Sequence, residues 1–88
     1  MDAQLVVTFV NGEPYVGYFH PAQVRRETVA RSRRCGSGLV ADLAEDGRVL
    51  GIEITAPSLV DLETFNRVLG TLGLEPVDER VLAPLHAA

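Results

Sequence analysis

The chain has no tryptophan and no lysine, a single cysteine and only two histidines. Each scarcity narrows the field. One cysteine, Cys35, excludes an internal disulfide framework and fits a reducing compartment, so a cytoplasmic location is expected. One Cys and two distant His, His20 and His86, give no metal-ligand spacing. No apolar stretch approaches the ~20 residues that span a bilayer, and no basic region followed by an apolar run marks a signal peptide. A Gly-x-Ser-x-Gly elbow and a phosphate-cradling glycine motif are both missing. No catalytic, cofactor-binding or metal-binding residue is therefore assigned, no cofactor is expected, and the chain reads as a non-enzyme.

What is present is a small apolar-rich domain. At 88 residues the chain makes one domain, and 47% apolar residues suffice for a core. Ordering costs about 1.5 kcal/mol per residue, so such a core only just wins and association would help it. Net charge is −4. All eight basic residues are Arg, and Arg25, Arg26, Arg31, Arg33 and Arg34 sit within ten residues.

The stretch Gly38–Thr55 reads as a β-hairpin. Asp46-Gly47 suits a two-residue primed turn, which needs positive φ. That turn pairs Leu43 with Leu50, Asp42 with Gly51, Ala41 with Ile52, Val40 with Glu53 and Leu39 with Ile54. Leu39, Ala41, Leu43, Leu50, Ile52 and Ile54 then share one wholly apolar face, and Asp42 and Glu53 fall on the other. A three-residue loop would shift the register by one, set Asp42 opposite Leu50 and mix the faces, so the two-residue turn is preferred; a four-residue loop from Glu45 to Arg48 keeps the same pairing.

Elsewhere the chain offers two strands, about 4–10 and 15–20, joined by Asn11-Gly12. With an unbulged two-residue turn, Leu5, Val7, Phe9, Val16 and Tyr18 share one face. Val6, Thr8, Val10, Tyr15, Gly17 and Phe19 share the other. Both faces are apolar, so one is expected to be covered by the tail or by another subunit. Gly17 within a strand suggests a bulge or a close approach of another backbone. A third strand is expected over 25–34, with Cys35 to Gly38 as its turn; Arg31 then faces Asp42. A fifth, about 48–55, completes an antiparallel meander with a charged open face.

After Pro57, Asp61 is the expected N-cap of a helix over about 62–72, with Ser58 as the competing cap. Leu62, Phe65, Leu69 and Leu72 make its apolar stripe, Val60 and Phe65 sit at staple spacing, and Gly73 supplies the αL residue that ends it. The tail, 77–88, carries Val81, Leu82 and Leu85 and is expected to dock on its own sheet or a neighbour's. The fold class is α+β: about five antiparallel strands with one helix across one face.

The run Val40 to Ile54 also resembles the bacterial "domain of unknown function 2283" family. The residues that carry the likeness are Asp42, the Glu45-Asp46-Gly47 turn and the Gly51-Ile52-Glu53-Ile54 block. The strand Tyr15 to Phe19 and the helix core Asn66 to Leu69 fit as well. Asn11-Gly12-Glu13-Pro14 stands where the family has an Asp-rich loop. The resemblance implies a fold and no established activity. Members found beside small toxin-like proteins make an antitoxin-like role one version of an interaction module.

Three surfaces are candidates. Val6, Val10, Tyr15, Phe19, Val81 and Leu85 form a candidate apolar interaction surface. It points to a homo-oligomer, a dimer in the first place, or to a protein partner. Arg25, Arg26, Arg31, Arg33 and Arg34 form a basic patch that could contact phosphates, although no aromatic or recognition helix stands beside it. Asp42 and Glu53 form an acidic face; paired carboxylates can bind a cation or share a proton, but cross-strand pairing with Arg31 is the simpler expectation. The leading reading is a non-enzymatic interaction module. Nucleic-acid binding is the alternative, and a small-molecule or metal-binding domain the third.

Overall fold

A computed structural model describes residues 2–22, 24 and 27–86. Its strands are β1 (Gln4–Val10), β2 (Glu13–His20), β3 (Arg31–Gly36), β4 (Leu39–Leu43) and β5 (Val49–Ile54). Two helices follow, α1 (Leu62–Thr71) and the short α2 (Glu79–Leu82), each flanked by a 3₁₀ segment, Pro57–Leu59 and Ala83–His86. The α+β class stands. The five strands are antiparallel, in the order β1-β2-β5-β4-β3. This is not a simple meander. The last strand slots between the two hairpins, because Phe19 on β2 pairs with Ile52 on β5.

The faces follow the apolar alternation. Phe19, Leu39, Ile52 and Ile54 project into one core with Val60, Phe65, Val68, Leu69, Leu82 and Leu85. Phe19 and Phe65 meet edge to face, ring centroids 5.1 Å apart, a favourable aromatic geometry. Helix α1 begins at Asp61, whose carboxylate accepts from the Thr64 N–H at 2.7 Å. It ends in a Schellman motif: Gly73 has φ +74°, and the Leu74 N–H reaches the Leu69 carbonyl at 2.8 Å.

The tail docks on its own sheet. Leu82 and Leu85 are buried, and Leu85 lies over Gly17, where a Cβ would meet its methyl at 3.2 Å. What approaches Gly17 is a side chain of the tail, not another backbone and not a bulge at this residue. Asn66 of α1 holds the start of the tail, donating to the Val77 carbonyl and accepting from the Val77 N–H, both at 2.9 Å.

Four details depart from the sequence reading, and three share a cause. Each hairpin carries one extra residue. In β1–β2 the Asn11-Gly12 turn has positive φ at both positions, but Tyr15 is bulged, so Thr8 pairs with Val16 and Leu5 with Phe19. Leu5, Val7 and Phe19 therefore share the core face, while Val6, Thr8, Val16 and Tyr18 share the open one. In β4–β5 the turn has positive φ at Gly47 only, and Ala44 and Arg48 close a three-residue loop. A bulge at Leu50 absorbs the shift, so Asp42 still pairs with Gly51. In β3–β4 the loop is Ser37-Gly38 with a bulge at Cys35, so Ser32, not Arg31, faces Asp42. The fourth departure is that β3 begins at Arg31 rather than near residue 25; Arg25 and Arg26 lie outside the described residues.

Candidate functional site

The open face of the sheet is built around Asp42. A carboxylate on an uncovered face is normally solvated, yet Asp42 is only 6% exposed. Its neighbours account for this. Tyr18 on β2 reaches across β5 and donates its hydroxyl to Asp42 Oδ2 at 2.9 Å. It can do so because position 51, which it crosses, is glycine; a Cβ there would collide with the Tyr18 ring. From the other side Ser32 donates to Asp42 Oδ1 at 2.7 Å. His20 tilts against Tyr18, with ring centroids 4.8 Å apart.

Glu53 completes the cluster, diagonal to Asp42 as the register requires. Burial pushes the Asp42 carboxyl up, but hydrogen bonds from Glu53, Ser32 and Tyr18 outweigh it and hold the group below the ordinary aspartate value. Glu53 moves the other way: its hydrogen bond to Asp42 raises it above the ordinary glutamate value, helped by burial and by the Asp42 charge. The two carboxyls thus titrate as an interacting pair, Asp42 the stronger acid and Glu53 the weaker. Burial, together with the bond to Asp42, also raises the Tyr18 hydroxyl. The expected Arg31–Asp42 pair is not formed, since by register Arg31 shares a face with Leu43.

The arrangement places two coupled carboxyls on one sheet face, Asp42 held by Tyr18 and Ser32. Among the described residues no group of three or more His, Cys, Asp or Glu side chains stands together as a metal site. Sequence reasoning found Asp42 and Glu53 and missed Tyr18, Ser32 and Gly51. The available signal was the glycine within a strand, which marks a close approach.

The candidate apolar surface is divided by the fold. Val6 (51% exposed), Val10 (49%) and Tyr15 (62%) lie at the surface of the β1–β2 hairpin. Phe19 and Leu85 do not: both are core residues, and Val81 packs against that core. Their placement follows from the Tyr15 bulge and from the tail docking in cis. Phe9, absent from the sequence-derived set, joins the surface at 45% exposure.

The basic patch is split as well. Arg31, Arg33 and Arg34 are exposed on β3, but alternation sends Arg31 and Arg33 to the helix side and Arg34 to the open side. Cys35 is half-buried, and burial raises its thiol despite the nearby Arg33 charge, which works against nucleophilic use. His86 is engaged with the Val60 carbonyl at 2.8 Å.

Two concavities flank these features. A groove of about 240 Å³ beside Tyr18 and Glu53 is lined by Val6, Thr8 and Val16. A larger cleft of about 540 Å³ lies between the end of β2 and the α1–α2 connection; among the described residues Glu75 is the one ionisable side chain in its lining. Among the described residues no helix is long and apolar enough to cross a membrane. Comparison of the chain with protein-family models, with curated proteins and with solved structures found no match.

Proposed function

We propose that this chain is a non-enzymatic interaction module that binds another protein chain through its N-terminal hairpin. One observation carries this reading. Among the described residues, four of the six exposed large apolar side chains, Val6, Phe9, Val10 and Tyr15, belong to β1 and β2. Single exposed apolar residues are ordinary, but a concentration on one supersecondary unit marks a contact surface. The other two, Val29 and Leu59, lie outside the strands.

Nucleic-acid binding through the arginine strand has weaker support. Arginines alternating between two faces of one short strand do not form the continuous basic stripe that tracks a phosphate backbone. The reading as an interaction module agrees with the resemblance noted in the Val40–Ile54 run, which carries no activity of its own.

The chain lacks lysine, so amine cross-linkers are of little use and a photoreactive residue is the suitable probe. Placed at position 10 or 15, it should capture a protein; placed at the exposed Glu63 of α1, it should not. Capture must persist at high salt and after nuclease treatment. Capture from Arg34 instead, lost with nuclease or steeply with salt, would transfer the function to the arginine strand.

A further inference from the structure

We infer that the partner is a second copy of this chain, joined by antiparallel pairing of two β1 edges into one continuous ten-stranded sheet. This rests on the hairpin being the binding surface, and it names the occupant.

The two edges of the sheet are unlike. At one end stands β3, RSRRCG, with three exposed arginines and a bulge at Cys35. Charge and bulging are standard protections of a sheet edge. At the other end stands β1, QLVVTFV. It has seven regular residues, no charge and no proline, and the bulge of its hairpin lies in β2. Among the described residues, no strand lies beside its outer row of backbone donors and acceptors. An edge so long and unprotected is a template for another strand.

Charge selects which strand. Pairing β3 with β3 would bring six guanidinium groups onto one junction. Pairing β1 with β3 would set apolar side chains against arginine, and repeated head to tail would build an open filament. Pairing β1 with β1 opposes no like charges, and a two-fold axis closes the assembly.

The residues also match themselves. A two-fold through Val7 sets Val6 opposite Thr8, Leu5 opposite Phe9 and Gln4 opposite Val10. On the helix side, Phe9 is 45% exposed. The pairing carries it onto Leu5 of the second copy, beside that copy's tail. On the open side, Val6 and Val10, each about half exposed, become a continuous row across the junction. A seven-residue edge is about 24 Å long. A standard interface removes about 800 Å² per partner, about a seventh of this protein's 5684 Å² surface. An edge junction of this length falls at or below that size, so the dimer should dissociate in the micromolar range.

Sedimentation equilibrium over micromolar to millimolar concentrations tests this. The expected result is a reversible rise from the 9.5 kDa protomer mass to twice that value. Val6→Lys and Val10→Lys, at half-exposed positions, should each weaken the dimer tenfold or more while the thermal melt at low concentration stays unchanged. Register is read by disulfide trapping in a Cys35→Ala background. A mixture of Val6→Cys chains and Thr8→Cys chains should oxidise to a cross-linked pair, because directly opposed side chains are within disulfide reach. Val6→Cys alone, at the diagonal spacing, should not. A monomer at every concentration overturns the inference, as does a dimer that both lysine variants leave intact. A monomer that still photocaptures another protein from position 10 overturns the second copy and retains the interaction module. A monomer that captures nothing removes both.

Discussion

The Tyr18 ring lies flat over Gly51, and this contact is what lets its hydroxyl reach Asp42 on the strand beyond, at 2.9 Å. The glycine is required by packing rather than by backbone conformation. Gly51→Ala should therefore destabilise by about 2 kcal/mol, the usual size of an overpacking penalty. Tyr18→Phe should cost about 1–2 kcal/mol for the lost hydrogen bond to a charged acceptor. The two effects are coupled. An alanine at position 51 pushes the ring off Asp42, so Tyr18→Phe on that background should cost little. Urea unfolding of the two single variants and the double variant measures this, and strict additivity would mean the ring reaches Asp42 by another route.

The opposite shifts of the two carboxyls predict a pH profile. Glu53 has a folded-state value raised above its ordinary 4.5, chiefly by its bond to Asp42. Its contribution is full at low pH and is lost as pH rises through that raised value. Asp42 is lowered from 3.8: burial opposes this, but bonds from Glu53, Ser32 and Tyr18 prevail. Its contribution is present above 3.8 and lost as pH falls through the lowered value. Stability should peak in the mildly acid range between these limits. Glu53→Gln supplies a permanent donor to Asp42 and should flatten the alkaline side of the peak, raising the neutral-pH melting temperature by a few degrees. A profile for Glu53→Gln that parallels the wild type would show that the two carboxyls are uncoupled.

How much of this was legible in the sequence depends on how far apart the interacting residues lie. The face of Leu39, Ala41, Ile52 and Ile54 was readable because a buried apolar face specifies its own register. The α1 caps were readable because Asp61, Thr64, Gly73 and Leu74 act within one turn. The three bulges were not readable. An extra residue at Tyr15, Cys35 or Leu50 leaves little local signature, yet each one flips or restores a whole face. The bulge at Tyr15 sends Phe19 into the core and Tyr18 onto the open face, and the one at Cys35 exchanges Arg31 for Ser32 opposite Asp42. The insertion of β5 beside β2 is a contact between residues over thirty positions apart, beyond the reach of local pattern.

The cap at Asp61 makes a simpler prediction. Its carboxylate accepts from the Thr64 N–H, and this bond lowers the carboxyl below its ordinary 3.8. Asp61→Ala should lower the melting temperature at neutral pH, and Asp61→Asn should largely restore it, because the amide oxygen can accept the same bond. The difference between wild type and Asp61→Ala should shrink as pH falls through the lowered value, since the charge at the helix N-terminus is then lost. Calorimetry at neutral and acid pH checks both points.

The Asn66 clamp decides whether the tail is part of the core or merely rests on it. Asn66 is the sole side chain that holds Val77 by both its N–H and its carbonyl among the described residues, each at 2.9 Å. From there α2 and the 3₁₀ segment after it carry Leu82 and Leu85 onto β1 and β2, where they are 1% and 3% exposed. Removing the amide leaves two half-buried backbone groups to seek water. Asn66→Ala should cost about 2 kcal/mol by the usual penalty for an unmet pair. Amide exchange localises the effect: Val77 and the residues of α2 should lose protection well before β4 and β5, because α1 keeps its own bonds. Asn66→Asp keeps the acceptor for the Val77 N–H but sets a charge against the Val77 carbonyl, and should be at least as damaging. If Val77 exchanges at an unchanged rate in Asn66→Ala, then the burial of Leu82 and Leu85 alone fixes the tail, and Leu85→Ala becomes the variant that frees it.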